Sequence, residues 1–429
     1  MKSANSRARS SAMKISTSTT HIRPSCSSCP IIRRSISSSA ATLPRQATSP
    51  AGVRLGRRWP EFQGSRNWDG LLDPLDDTLR SEILRYGAFV QAAYASCDFD
   101  PSSPSYATCR FPKHSLLGLA GLPSTGYRVT RSLHATAGSR LPSWAADAAA
   151  QHSPAWISRS SSWIGYVAVC QDHDEITRLG RRDIVVALRG TATFLEWLDN
   201  LHAALTHLPS AVAAVAAAAA SGCGCSGIPE PMVQHGFWSL FTTGNDSYSS
   251  LRDQVRDEVR RLVGEYGDEE ISLTIAGHSL GAALAVLVAD DVKAMLGAEA
   301  PMVSVVSFGG PRVGNGSFRR RMEEQGSKVL RIVNCHDIIT KVPGFVIDGE
   351  EEDGAIPSWL LSKTGWAYAD IGRELRLRGR RTANVVACHD LSHYLQLVKQ
   401  ISGPSPFVSR EDRQPGRWRW PAIVAGDAS

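Results

Sequence analysis

Leu273-Thr-Ile-Ala276, Gly277-His278-Ser279-Leu280-Gly281, Ala282-Ala-Leu-Ala285: this stretch decides the fold. An apolar run stops at a glycine, and small residues resume on the far side of a second glycine. The reading is strand, tight turn, helix, with Ser279 on the turn. A serine there projects from the C-terminal edge of a sheet. Side chains two residues before and after it would collide, so Gly277 and Gly281 both lack one. Ala282, Ala283 and Ala285 let the following helix lie close to the strand. The helix N-terminus and the NH of Leu280 then face any negative charge that develops beside Ser279.

Working outward, strands and helices alternate. Trp163 to Cys170, Asp183 to Gly190, Ile271 to Ala276, Val303 to Phe308 and Val329 to Val333 are runs of strand length, the second ended by its glycine. Leu251 to Tyr266 and Ala282 to Leu296 carry apolar residues at helical spacing, as do Leu79, Ile83, Tyr86, Val90 and Ala93 upstream. Residues 101–160, rich in Ser, Pro and Ala, read as loops with short elements. Continuous apolar strands between helices imply a mostly parallel central sheet with helices on both faces. Ala211 to Gly224 is low-complexity and reads as a surface loop or short helix. No internal repeat is evident.

Charge is divided unevenly along the 429 residues. Residues 1–58 hold 11 Lys/Arg and no acid, so the net +6 becomes 36 basic against 41 acidic groups beyond them. The mildly acidic body is no nucleic-acid binder by charge. Residues 1–50, with 14 Ser and 5 Thr, have the composition of an organellar transit peptide, which sets 1–58 apart from the fold. The longest apolar run, Ala211 to Ala220, is half of what a spanning helix needs, so no transmembrane span is expected. Nine cysteines form no secreted disulfide framework and no paired zinc spacing; no metal or cofactor is called for.

A serine becomes a nucleophile when a histidine takes its proton and an acid orients that histidine. After an elbow the chain order is Ser, acid, His. Asp337 follows the strand at Val329 and is the expected acid. His389, read as following a short strand over Val385 to Cys388, is the expected base in preference to His393, one helical turn later. His336 and Asp390 read as bystanders. Thr191, after the strand that ends at Leu188-Arg-Gly190, pairs with Leu280 as the expected oxyanion hole. Phe194, Trp197, Leu198 and Leu201 share one face of the next segment and suggest an interfacial lid. A surface helix packed on the core is the plainer alternative.

With these residues in view, the chain resembles the class 3 lipases of the α/β-hydrolase fold. The motifs are Leu188-Arg-Gly-Thr191, Gly277-His-Ser-Leu-Gly281, Ser307-Phe-Gly-Gly-Pro-Arg-Val-Gly-Asn315, Asn334-Cys-His-Asp337 and Val342-Pro-Gly344. Arg66-Asn-Trp-Asp-Gly-Leu-Leu-Asp-Pro-Leu75, Leu79 to Gly87 and Cys388-His-Asp-Leu391 are similar to the plant chloroplast phospholipases A1 of class I. The resemblance implies sn-1 acyl hydrolysis of plastid phospholipids, often galactolipids and sometimes triacylglycerol. It implies a chloroplast location, with thylakoid or plastoglobule association, and a membrane glycerolipid met at an interface as the partner. The implied organisation is a leader (1–58), an N-terminal helical extension (59–125), a hydrolase domain (126–405) with a lid near 192–205, and a tail (406–429). Ser392, where many relatives have Glu, and the 211–225 insert depart from the group. A catalytically silent lipase-like scaffold and a soluble small-ester esterase are the competing readings.

Overall fold

A computed structural model describes residues 53–136, 161–191, 204–208, 230–343, 345–346, 367–379 and 385–401. Its centre is a seven-stranded sheet. We number the strands β1 (Tyr127–Ala135), β2 (Ser162–Cys170), β3 (Arg182–Leu188), β4 (Ile271–His278), β5 (Met302–Phe308), β6 (Lys328–Asn334) and β7 (Arg373–Leu377). They lie side by side in chain order. β1 to β3 pair antiparallel, and β3 to β7 are parallel. The helices of seven or more residues among the described residues are α1 (Asp77–Ser96), α2 (His173–Leu179), α3 (His235–Thr242), α4 (Leu251–Tyr266), α5 (Leu280–Leu296), α6 (Gly316–Glu324) and α7 (Leu391–Gln400).

Sequential order has a geometric consequence. Parallel crossovers are right-handed, so strands laid down steadily in one direction deliver every connecting helix to the same face. Phe237 and Phe241 of α3, Val255 and Val259 of α4, Leu284 of α5 and Phe318 of α6 share one core with Ile184, Val186, Leu273, Ile275, Val303 and Val305. The alternate strand residues Val185, Ala187, Ala276, Val306, Phe308, Leu330 and Ile332 face the other way. No crossover helix can cover them. α1 and α7, from opposite ends of the described chain, do so, through Leu79, Ile83, Tyr86 and Val90 and through Tyr394, Leu395 and Val398. The two helices touch closely: a Cβ on Gly87 would sit 2.3 Å from Leu395.

The expected helices and parallel strands are present, and three boundaries differ. Residues 59–125 share a core with the sheet and form its second covering layer. The folded body begins earlier than residue 59: Leu55 is buried, its NH donates to the Arg178 carbonyl, and Arg178 donates to the Val53 carbonyl at 2.6 Å. β1 lies where loops were expected, because this strand at the sheet edge carries Arg128, Thr130, Arg131 and Ser132 among only three buried positions. Among the described residues no helix is long and apolar enough to cross a membrane. Residues 1–52, the expected lid and the 211–225 insert lie outside the described residues.

Beneath α1, at the N-terminal ends of the parallel strands, sits a buried polar cluster. Asp183 Oδ1 accepts from Ser272 at 2.8 Å; Oδ2 accepts from Tyr127 at 2.8 Å and from Tyr86 and Arg85 at 3.1 Å each. Arg181, fully buried, donates to Ser272 and Tyr86. Burial alone would raise the Asp183 carboxyl. Arg181, Arg85 and the Ser272 and Tyr127 hydroxyls outweigh it and hold the group below the ordinary aspartate range. Its contribution to stability is therefore present above that range and lost only as pH falls through the lowered value. Asp183→Ala takes one of the two carboxylates from beside Arg85 and Arg181 and leaves them only Glu82, which pairs with Arg85 at 2.6 Å. It should lower the unfolding free energy by about 3–5 kcal/mol, measured by urea denaturation at neutral pH.

Candidate active site

β4 runs into Ser279 and α5 starts at Leu280. Ser279 has φ 58° and ψ −125°, a conformation L-residues rarely adopt and one costing of order 1–3 kcal/mol. The surroundings impose it. A Cβ on Gly277 would lie 2.3 Å from the Gly281 carbonyl oxygen, and one on Gly281 would lie 2.4 Å from that of Leu188. The Ser279 NH donates to Phe308 at the end of β5, pinning the turn to the sheet.

The structure brings Ser279, His389 and Asp337 into one line. His389 Nε2 is 2.8 Å from Ser279 Oγ, and His389 Nδ1 is 2.7 Å from Asp337 Oδ2. Asp337 is fully buried. It also accepts from Tyr394 at 2.6 Å and from the Ile339 NH at 2.9 Å. A carboxylate beside Nδ1 accepts a hydrogen bond from the ring N–H there, which keeps the proton on Nδ1 and leaves Nε2 as the lone-pair nitrogen facing the serine. Gly309, at φ 56°, lets the chain pass Asp337: a Cβ there would sit 3.1 Å from Oδ2.

His393 stands one turn away and does not join this line. Its NH caps onto Asp390, which is the N-cap of α7. His336 is half-buried, with its NH on Asn334 Oδ1. Residues 385–388, expected as a strand, form a helical turn. Apolar runs of four do not distinguish the two. Thr191 lies past the end of β3 with its hydroxyl buried and without a hydrogen-bond partner among the described residues. Its neighbour Gly190 abuts the nucleophile: a Cβ on Gly190 would be 2.9 Å from Ser279 Cβ. Leu280 opens α5, so its NH has no acceptor within the helix. Phe194, Trp197, Leu198 and Leu201 lie outside the described residues.

Three supporting residues escaped the sequence reading. Tyr94 of α1 accepts from the Gly190 NH at 2.8 Å and lies 2.7 Å from His278 Nδ1. His278 Nε2 is 2.7 Å from the His389 carbonyl. Only an N–H can satisfy a carbonyl, so Nε2 carries the proton and the Tyr94 hydroxyl donates to Nδ1. The chain Gly190, Tyr94, His278, His389 thus ties the segment after β3 to the segment before α7. Tyr394 binds Asp337 and accepts from the Asn334 NH. No local pattern singles out Tyr94 or Tyr394, and His278 fills the free position of a glycine motif. Only their tertiary neighbours give them these contacts.

Comparison with known proteins follows the geometry. The family described as Lipase (class 3) matches residues 185–347. The Arabidopsis thaliana chloroplastic phospholipase A(1) DAD1 is 54% identical over 84% of this chain and 81% of its own. Phospholipase A1-Igamma1, also chloroplastic and from Arabidopsis thaliana, is 38% identical over 86% of this chain and 73% of its own.

The chain belongs to the class 3 lipases.

A Rhizomucor miehei lipase propeptide complex is similar at a TM-score of 0.42 and 16% identity, covering 74% of this chain and 78% of that one. The class 3 lipases are carboxylic ester hydrolases, and this chain carries the same α/β-hydrolase architecture and enzyme class.

In this lipase, burial and the neighbouring His389 hold His278 well below the ordinary histidine value. The folded state then binds fewer protons than the unfolded one below about pH 6.5, so stability falls as pH drops through that range. The unfolding free energy should lose about 1.4 kcal/mol per pH unit from His278 between pH 6 and 5. Urea titrations of the wild type and His278→Gln check it; the variant should show the shallower slope.

Proposed function

We propose that this lipase cleaves the sn-1 acyl ester of plastid glycerolipids, phospholipids first and galactolipids as well. The observation that carries the mechanism is the hydrogen-bonded line Ser279, His389, Asp337, together with a Thr191 hydroxyl that has no partner among the described residues. Ser279 Oγ attacks the ester carbonyl while His389 Nε2 takes its proton. The oxyanion is held by the Leu280 NH and by Thr191, each donor supplying roughly 2.7–4 kcal/mol in the transition state. Asp337 stabilises the imidazolium without taking its proton. His389 returns the proton to the departing glycerol oxygen, releasing a lysolipid. Water, activated by His389, then frees the fatty acid from Ser279.

Substrate class and location draw on the relatives. The Arabidopsis thaliana phospholipases A(1) DAD1 and A1-Igamma1 and the Arabidopsis thaliana galactolipase DONGLE are chloroplastic by name. The acid-free, Ser-rich composition of residues 1–50 fits the same compartment. We assign residues 1–52 to import and residues 53–401 to the folded enzyme, with peripheral association at thylakoid or plastoglobule surfaces. Phe194, Trp197, Leu198 and Leu201 are proposed as the lid face that meets lipid.

Ser279→Ala should fold normally and abolish hydrolysis of a mixed chloroplast lipid extract, read by the lysolipids released. Retention within tenfold of wild type would remove Ser279 from the mechanism. Trp197→Ser should weaken binding to lipid vesicles about ten- to a hundredfold, because roughly 1.5–3 kcal/mol of apolar contact is lost. Hydrolysis of a dissolved short-chain ester should change far less. Equal loss on both substrates, with a lowered melting temperature, would make this segment a static packed element.

A further inference from the structure

Two cysteines that the proposed mechanism does not use face each other at the end of α1. Cys97, the C-cap of α1, and Cys109 are partners in an isolated antiparallel bridge. The bonds around them fix the type of pair. Asp98 NH donates to the Thr108 carbonyl at 3.0 Å, and Arg110 NH donates to the Ser96 carbonyl at 2.8 Å. Both bonds flank the cysteines, so Cys97 and Cys109 form the non-hydrogen-bonded pair of the bridge. Opposed Cα atoms at such a site lie about 4.5 Å apart, with their side chains closest. That falls inside the span of roughly 4.4–6.8 Å that a disulfide bridges. Both cysteines are free thiols in this structure. Cys109 is half-buried and Cys97 is 2% exposed, so a reagent reaches Cys109 first.

The loop the pair encloses leans on the candidate active site. Phe99 stacks on Tyr94 with ring centroids 6.1 Å apart, and the Arg189 guanidinium lies 4.9 Å from the Phe99 ring centre. Ala107 accepts from the Trp163 NH of β2 at 2.9 Å. Tyr94 and Arg189 flank the Gly190–Thr191 turn.

We propose that Cys97 and Cys109 are a redox modification site, closing to a disulfide by exchange with a low-molecular-weight disulfide or an oxidised dithiol oxidoreductase. The Cys109 thiolate attacks one sulfur of the donor disulfide, and one donor thiol leaves. Cys97, deprotonated in turn, attacks Cys109 and expels the second donor thiol. Two protein thiols are oxidised to one disulfide, and one donor disulfide is reduced to two thiols. Burial raises both thiols, so exchange should quicken as pH rises above neutral. Closure staples residues 97–109 and stiffens the loop behind Tyr94.

The test uses the full chain, incubated with glutathione disulfide, quenched with iodoacetamide and digested for mass spectrometry. The expected product is a Cys97–Cys109 linked peptide, lighter by two hydrogens than the two reduced peptides together and separated by dithiothreitol. The melting temperature should rise by roughly 5 °C on oxidation. That rise should vanish in Cys97→Ser and in Cys109→Ser. Recovery of Cys97 in alkylated form together with a glutathione adduct on Cys109 would overturn the proposal. So would a link from either residue to a different cysteine, or a melting temperature unchanged by the linked form.

Discussion

One constraint governs this molecule: a sheet whose strands lie in chain order receives all its crossover helices on one side. The other side of β3 to β6 is also largely apolar beyond its polar end, with Val185, Ala187, Ala276, Val306, Phe308, Leu330 and Ile332 buried on it. Each of the larger of these side chains costs roughly 1.5–3 kcal/mol if left in water. The chain meets this demand with helices from outside the crossover series, one before the sheet and one after it. α1 and α7 are therefore structural necessities of the topology. Gly87 is the point at which they come close enough to share the face.

The same two helices furnish the candidate site. α1 ends near the C-terminal edge of the parallel strands and brings Tyr94 to Gly190 and His278. α7 brings Tyr394 to Asp337 and, one residue before its cap, His389 to Ser279. Covering the face and bringing Ser279, His389 and Asp337 into one hydrogen-bonded line are thus one packing event. The opposite end of the strands holds the buried charges: Asp183, Arg85 and Arg181 satisfy each other far from Ser279. The ionic cluster steadies α1 at one end of the sheet, and the helix delivers a hydroxyl at the other.

Strain at Ser279 is tolerated because its surroundings leave no alternative. Strand β4, the turn and α5 approach so closely that glycine is needed on both sides. The Ser279 NH is held by Phe308 on the neighbouring strand. A side chain fixed in this way has little freedom left to lose, which suits the nucleophilic role proposed for Ser279.

Much of this was legible in the residues themselves. The elbow, the parallel strands, α4 and α5, and the candidate acid and base follow from local signals: glycine spacing, apolar period and chain order. Those signals act over a few residues, where sterics and burial leave few choices. Tertiary structure alone decided the rest. It made Val385 to Cys388 a helical turn, although a short apolar run also suits a strand. It placed β1 at the sheet edge despite polar text, because an edge strand buries few of its side chains. It gave His278, Tyr94 and Tyr394 their contacts, which join residues as far apart in the chain as 94 and 278. No local pattern encodes such pairings, since each partner's own segment is satisfied as helix or strand. Only the packing of α1 and α7 onto the uncovered face brings those groups within hydrogen-bonding distance.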